Sequence, residues 1–196
     1  MANLPRWMAG KVHTVAVPAQ DSPLVAPTPD RVRALKRHLV ESLRDLREAK
    51  HPERLIQKRT AQPEGFAAEI VRAGCTACRG HCCKGGGEHA YLDERTMARV
   101  RRDNPDLDAA AVIALYVGSV ATEGNAGSCL FHGAAGCTLA KPLRAELCNT
   151  YYCNGLWDFL KMRPLPTDVE IVAKRGAIER RAVAKAAVRE EACRWE

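Results

Sequence analysis

The sequence predicts a mostly α-helical fold with a short β-hairpin, in which helices flank a small cysteine-rich metal-binding domain. Aromatic residues are only 5% of the 196 residues, so a core must be built mainly from Ala, Leu and Val, which favours helices over sheet. Apolar residues recur at steps of three and four in several segments. Eight of the nine cysteines lie between positions 75 and 153, a density typical of metal ligands.

The N-terminal part divides into two predicted segments. Residues 1–27 carry four prolines and show no regular spacing of apolar residues, which predicts a flexible N-terminal lead. Residues 28–62 form a basic amphipathic helical segment, with Thr28 as N-cap and Pro29 at the first helical position. Its apolar stripe consists of Val32, Leu35, Leu39, Leu43 and Leu46.

The positive charge of the chain is concentrated in this segment. The net charge is +7, and residues 31–60 hold ten Lys or Arg against four Asp or Glu. Such a run usually forms a solvated helix face, which disfavours nucleic acid as a partner. A protein partner that binds the helix at 29–50 stays open as an alternative.

Residues 63–163 are predicted to form the cysteine-cluster metal-binding domain. A short helix starts at Pro63 and ends at Gly74, so that Cys75 opens a metal-binding turn. The glycines at 85–87 let the backbone pass close to the cysteines. Two helices follow at 92–104 and 106–120, and the segment from Cys129 to Leu139 suggests a hairpin. Residues 164–196 are predicted as a C-terminal helix, from about Thr167 to Glu191, that packs on this domain.

The candidate ligands are eight cysteines in a fixed order. A CxxC step lets two sulfurs converge on one ion. Adjacent cysteines point in different directions, so the pair at 82 and 83 is expected to face different ligand sets, in two mononuclear sites or one multinuclear cluster. All-sulfur ligation suits Zn²⁺ and iron–sulfur clusters alike, and the identity stays undecided. The predicted ligands are Cys75, Cys78, Cys82, Cys83, Cys129, Cys137, Cys148 and Cys153.

The compartment decides between metal and disulfide chemistry. The N-terminus lacks the apolar run of a signal peptide and no stretch has the length of a membrane span, so a cytoplasmic protein without membrane contact is expected. Clustered cysteines in a reducing compartment are more often metal ligands than disulfides. Cys193, distant from the cluster, is predicted to be an inert thiol. His81, His89 and His132 are expected to be surface histidines or to orient the ligands.

The cysteine pattern resembles a known family. The CxxCxxxCC of residues 75–83, a Cys-Leu-Phe step at Cys129, a Gly-Cys-Thr-Leu step at 136–139 and a terminal pair at Cys148 and Cys153 are similar to the zinc- or iron-chelating CxxCxxxCC domain. The resemblance covers residues 75–153. Lys141-Pro142 stands where that family has Arg-Pro, and Arg144 is the candidate substitute.

The resemblance implies metal chelation rather than a defined reaction. The domain also occurs in flagellin lysine N-methylases, so cluster-dependent protein lysine methylation is a minor alternative, although no glycine-rich nucleotide-binding unit follows a predicted strand. No HExxH motif, Ser/His/Asp arrangement or acid pair supports a hydrolase, and whether the chain is an enzyme stays undecided.

Two functions of different classes follow. The first is a metal-binding protein with a redox, metal-handling or structural role. The alternative is a zinc-stabilised interaction module that binds nucleic acid or an acidic partner through its basic N-terminal helix.

Overall fold

The computed structural model describes residues 12–55 and 61–185, which form two compact units. The sheet unit comprises residues 12–19, 63–78 and 152–185. The cysteine unit comprises residues 20–55, 61–62 and 79–151. Each unit is assembled from segments that are distant in sequence. Cys193 lies outside the described residues.

Strands lie at both ends of the described chain, and helices and short strands lie between them. In chain order they are β1 (His13–Pro18), β2 (Leu24–Val25), α1 (Pro29–Glu48), α2 (Gly65–Cys78), α3 (Glu94–Asp103), α4 (Ala109–Gly118), β3 (Gly124–Asn125), β4 (His132–Gly133), β5 (Gly136–Cys137), α5 (Glu146–Thr150), α6 (Asn154–Lys161), β6 (Asp168–Arg175) and β7 (Ile178–Lys185). Short 3-10 helices lie at Pro52–Leu55, His81–Gly86 and Lys141–Leu143.

The sheet unit is built on a three-stranded mixed sheet in the order β1-β6-β7. Strand β1 pairs parallel with β6, with Val15 opposite Ile171, and β6 pairs antiparallel with β7. Residues 168–173 of β6 alternate between half-buried and buried, so one face of this part of the strand lies in the core. Helices α2 and α6 pack on this sheet, and the core includes Val15, Ile70, Leu156, Phe159 and Ile171.

The predicted C-terminal helix is wrong. Residues 168–185 form the hairpin of β6 and β7, with Arg175 opposite Ile178 and Gly176 at φ 57° in the turn between them. Val169, Ile171 and Ala173 are buried at every second position, which is the period of a strand, and glycine in the middle of the segment disfavours a helix. Residues 186–196 of that prediction lie outside the described residues.

The predicted flexible lead is also wrong for the residues that the structure describes, because residues 12–27 contain β1 and β2. Val15 and Val17 are buried against strand β6, a partner more than 150 positions away that local sequence does not reveal. The other part of the lead, residues 1–11, lies outside the described range.

Helices α1, α3 and α4 of the cysteine unit begin at residues whose side chains cap them. Thr28 accepts a hydrogen bond from the backbone N–H of Arg31 (3.4 Å), as predicted. Asp93 and Asp108 cap α3 and α4 in the same way, with N–H to carboxylate distances of 2.8 and 2.7 Å. The leucine stripe of α1 packs on α3 and α4, in a core with Leu35, Leu39, Met97, Tyr116 and Phe131.

A four-stranded sheet of two-residue strands completes the cysteine unit, in the order β2-β3-β4-β5. Strands β4 and β5 form the predicted hairpin, with His132 opposite Cys137. Two sheets therefore accompany the helices, and the predicted mostly α-helical fold with one short hairpin is wrong: the fold is mixed α/β. The low aromatic content did not exclude a sheet, since Val, Ile and Ala supply the buried face of β6.

Within the described ranges, no helix is both long enough and apolar enough to span a bilayer.

Candidate metal centre

Cys82 and Cys83 lie side by side in the 3-10 helix at His81–Gly86. This helix begins at Gly80, whose left-handed φ of 75° turns the chain, and Cys83 N–H donates to the Gly80 carbonyl (2.9 Å). A hydrogen bond from the Cys83 thiol holds the pKa of Cys82 at about 7, against a usual value near 9, while the Cys82 thiolate raises the pKa of Cys83. The two thiols therefore contact each other, and the assignment of the pair to different ligand sets stays a prediction.

Cys129 is held against this turn by backbone contacts. Its N–H donates to the Cys83 carbonyl (2.9 Å), and a Cβ added to Gly86 would lie 2.9 Å from the Cys129 Cβ. A side chain at position 86 would thus displace Cys129. The prediction that the glycines at 85–87 let the backbone pass close to the cysteines is confirmed at Gly86.

Cys137 and Cys148 reach the same place from two further segments. Cys137 lies in β5 and Cys148 on α5. Cys148 is an exposed residue, but partial desolvation of its thiol and the charges of Cys129, Cys137 and Cys82 raise its pKa. Burial also raises the pKa of Cys129 to about 11. These five cysteines, Cys82, Cys83, Cys129, Cys137 and Cys148, form what we call the five-thiol group.

The donor set of the five-thiol group fits a thiophilic metal, because sulfur ligands suit Zn²⁺ and iron–sulfur clusters. Arg31 and Arg144 place positive charge beside it and lower the pKa of Cys129 and Cys148 respectively, against the larger effect of burial. Within residues 12–55 and 61–185, however, no three or more His, Cys, Asp or Glu side chains are arranged to hold a metal ion. The thiols are neighbours rather than a closed coordination shell.

Arg31 holds the chain segment that leads into Cys129, a role that the sequence analysis missed. From the first turn of α1 its Nε donates to Glu88 (2.6 Å), and a terminal NH₂ donates to the Ser128 carbonyl (2.6 Å). Arg31 holds the pKa of the Glu88 carboxyl below its usual value. In the sequence Arg31 is one of many basic residues of that helix, and nothing there marks it out.

Arg99 holds the chain segment that leads into Cys148, a role that the sequence analysis also missed. It is buried on α3, and its guanidinium donates to the carbonyls of Pro142 and Arg144. Tyr116 hydrogen-bonds the intervening Leu143 carbonyl (2.7 Å). Arg144, the candidate substitute for the family's arginine, donates from Nε to the Leu139 carbonyl (2.9 Å). The segment that leads into α5 is thus held by one buried cation and one phenol.

Tyr91 packs beside the five-thiol group on a strained backbone. Ala90 and Tyr91 have φ values of 52° and 58°, which side chains other than glycine rarely adopt. The Tyr91 hydroxyl lies where a Cβ on Gly85 would be. Burial, and then the charges of the nearby thiols, raise the pKa of Tyr91. Tyr91 therefore closes one side of the group with a neutral phenol.

The three histidines singled out from the sequence differ in placement. His132 is buried, its Nδ1 is 2.8 Å from the Ser128 hydroxyl, and burial lowers its pKa. His89 accepts a hydrogen bond at Nδ1 from the Tyr91 N–H (3.0 Å) and packs edge-on against His38. His81 precedes Cys82 in the 3-10 helix.

The other three predicted ligands, Cys75, Cys78 and Cys153, lie in the sheet unit. The prediction that this helix ends at Gly74 is wrong, because α2 continues through Cys75 to Cys78. Gly74 serves close packing instead, because a Cβ there would lie 2.8 Å from the Leu156 Cδ2. The two cysteines, three apart, share one helix face; Cys78 is buried and Cys75 exposed. Cys153 is the N-cap residue of α6.

No protein-family model matches the chain, and comparison with curated proteins and with solved structures gives no match either.

Proposed function

We propose that this chain is a metal-binding protein that holds an iron–sulfur cluster or zinc through its cysteines, in a redox, metal-handling or structural role. One observation carries the proposal: the five-thiol group gathers cysteines from four separate segments, and they shift one another's pKa. A core of the same size does not need several neighbouring sulfur atoms for packing alone.

A bound metal would stabilise the thiolate form of the cysteines in the five-thiol group. Burial raises the pKa of Cys129 to about 11, so this thiol is neutral at pH 7 in the metal-free protein. A thiophilic cation stabilises the thiolate form of such ligands, so loading releases protons. Arg31 and Arg144 would offset part of the negative charge of the thiolates.

The proposed ligand set keeps all eight cysteines. Cys75, Cys78 and Cys153 remain in it on the sequence pattern and on its resemblance to the CxxCxxxCC family. One Cys₄ zinc site or one four-iron cluster needs four thiolates, so the five-thiol group contains one more than a single centre requires. A reducing cytoplasm, which keeps clustered thiols available to metal, is part of the same proposal.

The experiment combines anaerobic purification, metal analysis and a visible spectrum. An iron–sulfur protein is brown and absorbs in the visible range, while a zinc protein is colourless. Cys129→Ser is expected to abolish metal binding, while Cys193→Ser, at the cysteine predicted to be inert, is the matched control. Full metal content in Cys129→Ser would overturn the proposal.

Cys78→Ala tests the extent of the ligand set. If all eight cysteines are ligands, this variant also loses metal. Unchanged metal content in Cys78→Ala, with loss in Cys129→Ser, would restrict the centre to the five-thiol group.

The alternative of an interaction module that uses the basic N-terminal helix has less support. The leucines of α1 are buried in the core of its own unit, which leaves mainly its basic face and Val40 for a partner. Absence of an RNA or DNA mobility shift at low salt would exclude the nucleic-acid form of this alternative, since phosphate binding is strongest there.

A further inference from the structure

A groove lies on the cysteine unit between α1, the 3-10 helix at Pro52–Leu55, and helices α3 and α4. Its volume is about 780 Å³, within the roughly 300–1,000 Å³ typical of small-molecule sites. The floor and walls are aliphatic, formed by Val40, Leu43, Leu46, Ala98 and Ile113. Val40 is 53% exposed, so the groove opens to solvent.

Three arginines line this apolar groove. Arg44 lies 3.8 Å from the carboxylate of Asp45, whereas Arg47 and Arg101 have no acidic partner among the described residues. The Nε of Arg101 is buried and has no hydrogen-bond partner among the described residues. Glu53 is the acidic residue of the lining, and it faces His51 at 3.3 Å. The groove therefore carries an excess of positive charge and an unsatisfied donor.

Guanidinium groups beside aliphatic walls suit a ligand with two parts. A carboxylate accepts paired hydrogen bonds from a guanidinium, which stays charged at every relevant pH. An alkyl chain gains free energy by leaving water for the aliphatic walls. A neutral apolar ligand would leave the arginines unpaired, and a small anion would leave the walls exposed.

We propose that this groove binds an anionic amphiphile, an alkyl chain that ends in a carboxylate, with the carboxylate on Arg101 and Arg47 and the chain along Val40, Leu43 and Ile113. The site shares no residue with the five-thiol group, so the proposal does not depend on the metal. The volume of the groove suits a small ligand, whereas a protein surface presents flatter contacts.

The test is calorimetric titration of the anaerobically purified full-length protein with decanoate, below its micelle-forming concentration, and with 1-decanol. Decanoate is expected to bind at one site, and 1-decanol at least about tenfold more weakly, because a hydrogen bond to a charged group contributes about 1.5–3 kcal/mol. Equal binding of the two ligands, or no binding of decanoate, would overturn the proposal.

Variants place the ligand in the groove. Arg101→Gln is expected to weaken decanoate binding by about tenfold. The matched control is Arg102→Gln on the same helix, which removes an arginine that pairs with Asp103 and does not line the groove. Val40→Glu, at an exposed helical position that tolerates glutamate, is expected to abolish binding by placing a carboxylate at the mouth.

Two results would assign the groove to another occupant and overturn the proposal. If Arg101→Gln and Arg102→Gln weaken decanoate binding equally, the effect is one of net charge. If decanoate fails to bind while the protein forms a dimer that Val40→Glu dissociates, the groove is an interface with a second copy of the chain.

Discussion

In the sheet unit, Cys75 and Cys78 are carried by the last turn of a fourteen-residue helix, whereas in the cysteine unit the thiols lie on a 3-10 helix, a two-residue strand and a five-residue helix. Regular hydrogen bonding and an apolar core hold the first pair in place without any ligand. The second set depends on single contacts, such as the Cys129 N–H to the Cys83 carbonyl. Metal is therefore expected to contribute far more to order in the cysteine unit than in the sheet unit.

The largest expected effect is that of metal removal. A structural metal contributes about 10–16 kcal/mol of apparent binding free energy in small metal-binding domains, while an ordinary domain has about 5–15 kcal/mol of net stability. After anaerobic chelation, amide hydrogen exchange should accelerate strongly at residues 79–91 and 128–148 but little in strand β6. Equal acceleration in β6 would contradict the contrast between the two units.

A substitution at Gly155 should destabilise the sheet unit first. Helix α6 passes so close to β1 that a Cβ on Gly155 would overlap the Ala16 carbonyl oxygen, a backbone atom that cannot rotate away. Gly155→Ala is expected to lower the free energy of unfolding by about 3 kcal/mol or more, the upper range for overpacking. The measurement is denaturant unfolding of the metal-loaded protein.

The control for this variant is Gly118→Ala at the end of α4, where nothing lies within 4 Å of the added Cβ. Alanine in a helix is favoured over glycine by about 0.5–1 kcal/mol, so this variant should be neutral or slightly stabilising. A small effect of Gly155→Ala, similar to that of the control, would show that α6 can move away from β1.

The same contrast explains what the sequence could predict. Helices α1, α3 and α4 carry caps and apolar residues within or next to their own segments, and Thr28 caps α1 as those signals predict. The hairpin of β4 and β5 is equally local. Strand β1 is different, because its partner β6 lies at the other end of the chain and no local pattern reveals a parallel pairing.

For the candidate site, the sequence can predict only what residue type and spacing reveal. The cysteines could be identified as candidate ligands from their spacing, and the glycines from their need for close approach. Arg31, Arg99 and Tyr91 could not, because their roles depend on contacts with carbonyls and glycines that are distant in sequence. The division of the eight cysteines between two units likewise depends on which segments pack together.

An intermediate effect is expected at Arg99, which joins a regular helix to the irregular segment before Cys148. Arg99→Met keeps the aliphatic stem but leaves the Pro142 and Arg144 carbonyls without their donor. Leaving a buried polar group unsatisfied costs about 1–3 kcal/mol, so the variant should lose roughly 2–3 kcal/mol of stability. Metal affinity should fall with it, as measured by competition with a coloured chelator.

Arg95→Met, an exposed position on the same helix, is the matched control and should change neither quantity. If Arg99→Met lowers stability but leaves metal affinity unchanged, then the segment at 141–144 does not position Cys148 for metal.

The smallest expected effect is that of the ion pair between Arg31 and Glu88, which fastens α1 to the segment before Tyr91. Both side chains are partly exposed, at 25% and 42%, so the pair should contribute no more than about 1 kcal/mol. Arg31 lowers the pKa of Glu88 in the folded protein, so folding favours the ionised carboxylate. This contribution is therefore present above the unfolded pKa, near 4.3, and is lost as the pH falls through the lower folded pKa.

Comparing the unfolding of the parent protein and Glu88→Gln at each pH cancels any common loss of metal in acid. The parent should be more stable at pH 7, and the difference should shrink towards zero below about pH 4; a difference that persists there would show that Glu88 acts through packing rather than charge.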